Sequence, residues 1–175
     1  MKKIDFDELS SQIIPMENFR LNWRFTDEKY DKLPEEHLEQ LKPLNIEASK
    51  YLSDYINSVG LHDDVPFKKD FFKTIDKAKI THHNQKEIKK WLYHRGIAFD
   101  KPIYLSWQPE EAIIVPWKIF IRYFDNFYYS GADDLTIIDS TLQWALLFYH
   151  ENEIYFGTNK KYKSSEEFHE IDFLW

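Results

Sequence analysis

Cysteine is absent from the 175 residues of this chain. That excludes disulfides, thiolate nucleophiles and thiolate-held metals. It also suits a reducing compartment, so the expected location is the cytoplasm. Long apolar runs are missing too; none approaches the ~20 residues of a membrane span. At the amino end Met1, Lys2 and Lys3 are followed by Asp5, Asp7 and Glu8. A secretion signal needs an uninterrupted apolar stretch there, so the chain is expected to be soluble and unprocessed. Positive charge is in short supply, with 23 Lys and Arg against 30 Asp and Glu, a formal net charge of −7. General nucleic-acid binding requires basic surface to displace phosphate counterions, and this balance argues against it. There is no Walker loop, dinucleotide fingerprint, HExxH, zinc-ribbon spacing or G-x-S-x-G. No cofactor, metal or catalytic residue is therefore assigned.

Aromatic residues, by contrast, reach 18%, with six Trp, eleven Tyr and fourteen Phe. Such rings bury large areas, and a core built on them is the first expectation. The other reading is a Tyr- and Trp-rich contact surface. With only four Gly and seven Pro, each of these residues is an informative break. Residues 1–100 read as helix-rich. Asp5 to Ile13 is a short amphipathic segment. Phe19, Leu21, Trp23 and Phe25 alternate with polar residues and predict a strand. Pro34 opens a short helix. Asn45 caps a longer one, with Ile46, Tyr51, Leu52, Tyr55, Ile56 and Val59 at helical spacing before Gly60. Phe67 to Ile75 reads as a short helix. Asn84 and Glu87 resemble a capping box ahead of Ile88, Trp91 and Leu92, and Gly96 ends that helix.

Residues 101–175 read as sheet-rich. Ile103, Leu105 and Trp107 pair back onto Ala112 to Val115 as a hairpin. Pro116 starts a helix bearing Trp117, Phe120, Ile121 and Phe124. Phe127 to Tyr129 and Leu135 to Ile138 read as strands. Leu142 to Tyr149 and Ile154 to Phe156 flank the polar turn 150–153 as a second hairpin. The apolar segment Phe168 to Trp175 is expected to dock on the body. The whole is expected to be one α+β domain over 1–175: a helical first half packed on a mainly antiparallel sheet that carries one inserted helix.

Several clusters invite a chemical reading. His82 and His83 are adjacent, but neighbouring side chains point apart, and a third ligand such as His94 or Asp76 would have to come from elsewhere. His150 with Glu151 and Glu153 could serve acid–base work, yet a solvated turn needs the same residues. Asp133, Asp134 and Asp139 could hold a hard cation, but the spacing of a calcium loop is missing. Residues 101–175 carry six Lys and Arg against twelve Asp and Glu. An acidic half of this kind steers basic partners. The partner-binding candidates are therefore Asp133, Asp134, Glu151 and Glu153, with Trp144 and Tyr149 as anchors.

Trp23-Arg24-Phe25, the run Leu41-Lys42-Pro43-Leu44, and Trp117, Phe120, Phe124 and Asn126-Phe127 through Trp144 to Phe156-Gly157 together resemble a family of small bacterial cytosolic proteins of unknown function. The closing Trp-bearing strand, His-Glu turn and Ile154-Tyr155-Phe156-Gly157 are also similar to the tail of immunity proteins that neutralise bacterial toxins. The acidity of residues 101–175 and the missing catalytic motifs predict a non-catalytic domain, acting like an immunity protein, that presents an acidic surface to a basic protein. The alternative is a small-ligand protein or enzyme with an aromatic-lined pocket, which a deep cleft holding His94, Arg95 or Tyr104 would favour. A third reading is a homo-oligomer whose contacts bury aromatics.

Overall fold

The computed structural model describes residues 5–162 and 171–175, with Ile171 and Asp172 described by backbone alone. Six helices are described: α1 (Phe6–Leu9), α2 (Trp23–Thr26), α3 (Glu35–Leu38), α4 (Ile46–Ser58), α5 (Gln85–Tyr93) and α6 (Trp117–Phe127). The strands are β1 (Lys42–Pro43), β2 (Thr74–Lys79), β3 (Pro102–Gln108), β4 (Glu111–Pro116), β5 (Leu135–Ile138), β6 (Trp144–Tyr149) and β7 (Glu153–Thr158). They form one sheet of seven strands in the order β1-β4-β3-β5-β6-β7-β2, and each neighbouring pair is antiparallel. The fold is α+β, as expected. The helix-rich half nevertheless supplies both outer strands, β1 and β2, and clamps the sheet from its two edges.

Alternation along the strands explains the layering. Ile113 and Val115 of β4, with Trp144, Leu146 and Phe148 of β6, face one side, where α5, α6 and Phe25 of α2 cover them. Ala112 and Ile114, with Ala145 and Leu147, face the other side, against Leu9, α4 and the loop bearing Leu61, Phe67 and Phe72. Both sheet faces are buried, so β4 and β6 read in sequence as unbroken apolar runs. The aromatic residues do go inward: Trp117, Trp144, Phe25, Phe120, Phe124, Phe127 and Phe148 are among the largest fully buried side chains. Among the described residues, no helix is long and apolar enough to cross a membrane.

Local chemistry sets the element ends. The Asn45 side chain accepts from the Ala48 N–H at 2.9 Å and caps α4. Gly60 follows α4 at φ +69° and Gly96 follows α5 at +79°, as helix-ending glycines do. Pro116 precedes α6, whose first donors, the N–H groups of Trp117 and Lys118, reach the carbonyls of Lys101 and Phe99 at 2.9 Å each. The Asn84 side chain makes no cap; it accepts from the Thr81 N–H and donates to the Lys79 carbonyl, both at 2.7 Å. It braces the connector ahead of α5.

Three elements differ from expectation. Phe19 to Phe25 is no strand: the N–H groups of Arg24 and Phe25 bond the carbonyls of Leu21 and Asn22, which coils the segment into α2. Arg24, in the polar phase of the alternation, turns inward and is buried. Phe67 to Ile75 is no helix. Phe67 and Phe72 are buried within an irregular loop, and the chain then extends into β2, which pairs with β7. Five of the six β2 positions are exposed, which leaves no apolar period to read. Phe127 ends α6, and Tyr128 is extended without a strand partner. At the carboxyl end Phe168 lies outside the described residues. The turn Ile171–Leu174 buries Leu174, and Trp175 stands 5.9 Å from the Tyr93 ring.

His62 ties the irregular loop to the sheet. Its Nδ1 donates to the Pro66 carbonyl at 2.7 Å. With that proton on Nδ1, Nε2 is left to accept from the Thr136 hydroxyl at 2.8 Å. Burial pushes its pKa below the ordinary 6.5, against smaller opposing effects of the Pro66 carbonyl and Asp134. The unfolded chain therefore binds the proton more readily than the folded one. Stability from this group is present above the unfolded value and is lost as pH falls below it. Urea melts are expected to show this loss starting near pH 6.5. A single group contributes a slope of at most about 1.4 kcal/mol per pH unit. His62→Gln is expected to be less stable at neutral pH and to lack that component; an unchanged pH profile in the variant would refute the assignment.

Candidate functional site

The structure takes two of the six candidate partner-binding residues out of the surface. Asp133 is buried and holds Arg24 through two oxygens, at 2.7 and 3.2 Å, while accepting the Tyr129 N–H at 2.8 Å. Trp144 is 1% exposed; its indole N–H donates to Asp139 at 2.9 Å, and its ring lies among Trp117 and Phe156. A buried cation recruited Asp133, and the inward phase of β6 claimed Trp144. Asp139 is likewise internal, accepting from Thr141, Leu142 and Trp144.

The remaining four stay near the surface of the β6–β7 hairpin and the strand before it. Asp134 accepts the His150 N–H and faces the His150 ring, both at 2.9 Å. Glu153 pairs with Lys77 of β2 at 3.0 Å and accepts from the Tyr155 hydroxyl. Tyr149 stacks near His150, 4.2 Å between ring centres. Glu151 is exposed. Much of this charge is occupied with holding the hairpin. His82 and His83 are exposed with ring centres 6.5 Å apart, and among the described residues no group of three or more His, Cys, Asp or Glu could hold a metal. His94, Arg95 and Tyr104 share no cleft. Arg95 lies over Trp91 and Phe156 and pairs with Asp76 at 2.7 Å, whereas Tyr104 packs on the opposite face of the sheet.

A different site emerges where the sheet ends at β1. Only two residues of β1 pair, Lys42 with Ile114 and Pro43 with Ile113. Pro43 gives no N–H, but its carbonyl accepts from the Ile14 N–H at 2.9 Å, and the Leu44 N–H carries the bonding on to the Ala112 carbonyl at 3.0 Å. Beyond β1 lies a groove of about 810 Å³ between α1, α3 and the outer ends of β3 and β4. Pro102 and Pro116 sit opposite each other across β3 and β4 and close one end. Phe6, Ile13, Tyr104 and Ile114 give the groove an apolar lining.

Two short helices bring the charge. The Asp5 side chain caps α1 by accepting the Glu8 N–H at 3.1 Å, and buried Leu9 anchors that helix. This sets Phe6 edge-on to Tyr104 at 5.2 Å and to Tyr55 at 4.8 Å, and leaves Asp7 exposed. Pro34 starts α3, from which Glu36 and the adjacent Glu39 reach the rim. Asp7, Glu36 and Glu39 face a single lining cation, Lys42. Among the described residues, none of these three carboxylates forms a salt bridge or a side-chain hydrogen bond. The Tyr104 phenol titrates above its ordinary value, first through burial and then through the negative charge of Asp7 and Asp139. A floor of rings and aliphatic groups under unpaired carboxylates suits a ligand with apolar and cationic side chains.

Sequence reasoning did not find this groove, because its parts come from residues 6–13, 36–42 and 102–116. The available signal was Pro102 and Pro116, which lack an N–H and stand opposite each other at the ends of β3 and β4 beside the groove. No curated protein and no solved structure matches the chain. A family model described as a protein of unknown function (DUF2947) matches residues 13–157.

Proposed function

We infer the role of this chain, which belongs to the DUF2947 family, from the groove beside β1: it is a non-catalytic protein-binding domain that receives a basic, partly apolar segment of another protein. The observation that supports this is the combination of an aromatic and aliphatic floor with three carboxylates that form no salt bridge or side-chain hydrogen bond among the described residues. The acidic surface offered to the partner is centred on Asp7, Glu36 and Glu39. Asp134, Glu151 and Glu153 add a second acidic region at the hairpin, where two of the three are already engaged. Where the basic partner is a toxin, occupation of the groove makes the chain an immunity protein acting in the cytoplasm.

Exposed carboxylates act through screened, long-range attraction, with a Debye length of roughly 8 Å at physiological salt. Each exposed pair is worth roughly 0.2–1 kcal/mol, so three together change affinity by about tenfold. An alternating leucine–lysine peptide is a suitable probe. Its binding, followed by calorimetry, is expected to weaken steadily as salt rises. The triple variant Asp7→Asn/Glu36→Gln/Glu39→Gln is expected to lose about tenfold in affinity and most of the salt dependence. Equal binding by the triple variant, or binding indifferent to salt, rejects the electrostatic part of the reading. Capture from the native host, followed by mass spectrometry, would then name the partner.

A further inference from the structure

On the opposite face of the sheet a smaller cavity of about 250 Å³ opens where three segments converge: the β2–α5 connector, the end of α6 with the chain just after it, and the β6–β7 turn. Its base includes Phe124 and Tyr128, 1% and 5% exposed, so the base is fixed by the core. The walls are pinned by backbone bonds. The Ile80 N–H donates to the Asn152 carbonyl at 2.7 Å, and the Gly131 N–H to the His150 carbonyl at 3.1 Å. Asn84 and Gln85 brace the connector through the Lys79, Thr81 and His82 backbone. Asn152 stands at φ +64°, a conformation asparagine tolerates better than most residues, and this places it at the cavity wall.

The polar residues of its lining include His82, Asp125, Ser130 and Asn152. Among the described residues, none of them hydrogen-bonds another side chain. A concave group of polar side chains beside apolar ones is a feature of small-molecule sites. The volume lies below the roughly 300–1,000 Å³ of drug-sized pockets and fits a small metabolite.

From this geometry we propose that the cavity is a binding site for a small organic cation, a primary amine or guanidine, held by the Asp125 carboxylate with Ser130 and Asn152 as neutral acceptors. Charge is the deciding feature, because Asp125 is the one carboxylate in the lining. Asp125 is exposed as a residue, but the desolvation its carboxyl does undergo raises its pKa above the ordinary 3.8. Lys89 of α5 and hydrogen bonds from the Asp125 and Asn126 backbone N–H groups oppose that rise, and Asp31 adds to it. Lys89 is not part of the lining, so a cationic ligand can take the carboxylate from the cavity side. The Asp125 oxygens gain a charge-assisted donor, and the ligand's apolar stem lies on Phe124 and Ile80.

Agmatine, titrated into the ¹⁵N-labelled full chain and followed by NMR, tests the site. Saturable shifts are expected in residues 80–85, 124–130 and 150–152, with a Kd of roughly 1 mM or tighter. Asp125→Asn preserves shape and is expected to weaken binding at least about tenfold. Asn152→Gly keeps the left-handed backbone, removes the amide and is expected to weaken binding about threefold, the share of one neutral hydrogen bond. Asp54→Asn, an exposed carboxylate on α4, is expected to bind as the parent does. N-butylurea, which keeps the planar fork without charge, is expected not to saturate. Absence of saturation by agmatine, equal affinity in Asp125→Asn, equal affinity for N-butylurea, or shifts confined to the groove beside β1 would each overturn the proposal. The leucine–lysine peptide experiment reads the other site, so failure of one leaves the other standing.

Discussion

Gly157→Ala is expected to cost at least about 3 kcal/mol of stability, the upper range for forcing an atom into a filled core. A Cβ built on Gly157 would lie 2.2 Å from Cδ2 of Phe72 and 2.8 Å from Cε2 and Cγ. Those are ring atoms, and the ring has nowhere to go: Phe72 is buried and packs against Phe67 and Phe71 at 5.1 and 4.8 Å. The backbone cannot yield easily either. Gly157 is paired with Ala145 of β6 on one side and Ile75 of β2 on the other, so displacement opens two ladders. Domains of this size have total stabilities of roughly 5–15 kcal/mol, so the variant loses a large part of its margin. Urea melts measure the loss. Phe72→Ala supplies the decisive cycle. It costs about 3–5 kcal/mol by itself, but adding Gly157→Ala to it is expected to cost less than about 1 kcal/mol, since the opposing ring is gone. Gly131→Ala is the control for backbone alone. It meets no atom within 4 Å but sits at φ +76°, so a cost of about 1–2 kcal/mol is expected. Additive losses in the Gly157/Phe72 cycle would show that the loop does not press on the sheet as described.

The role of Gly157 is not legible in the sequence, where it simply follows the apolar run Ile154 to Phe156. The hairpin itself was legible, because two apolar runs flank the polar residues 150–153, and β6 and β7 pair from Trp144 with Thr158 to Tyr149 with Glu153. Helices α4 and α6 were legible for the same kind of reason: each has a start signal, Asn45 or Pro116, and an apolar stripe. What stayed hidden depends on distant partners. Period-two alternation at Phe19 to Phe25 is a strand signal only if a strand stands beside it, and instead a buried Asp133, far along the chain, draws Arg24 inside. The outer strand β2 has no buried face to announce it. Two of the six candidate partner-binding residues, Asp133 and Trp144, are interior for the same reason. Residue type marks acids as surface, yet Asp133 and Asp139 are interior acceptors, while Asp7, Glu36 and Glu39 become one rim only after the sheet brings residues 6–13 and 36–42 together. Net charge located the acidity in the second half, whereas the unpaired acids of the groove come from the first.

The Arg24–Asp133 pair carries the other large expectation: Arg24→Met is expected to destabilise by about 3–5 kcal/mol, because removing one member strands a buried charge. The guanidinium does several jobs at once. It binds both Asp133 oxygens, donates to the Phe127 carbonyl at 3.2 Å and lies over the Tyr129 ring at 4.3 Å. Asn126 returns a bond to the Arg24 carbonyl at 2.9 Å, so α2 and the end of α6 are fastened from both sides. After Arg24→Met, the Phe127 carbonyl still has the Trp107 indole N–H at 2.8 Å, but Asp133 keeps only the Tyr129 N–H. The stranded carboxylate is thus the main cost, and neutralising it should recover much of the loss. Arg24→Met/Asp133→Asn retains an acceptor for Tyr129 and is expected to regain more than half of what Arg24→Met loses, since a neutral amide is far less costly to bury than a carboxylate. Melts at low and high salt separate this pair from the groove: a buried bidentate pair is little screened, so the double-mutant coupling should hold as salt rises. If the double variant is no more stable than Arg24→Met, lost packing of the arginine stem outweighs its charge, and the pair's role is to fill space beside Tyr129.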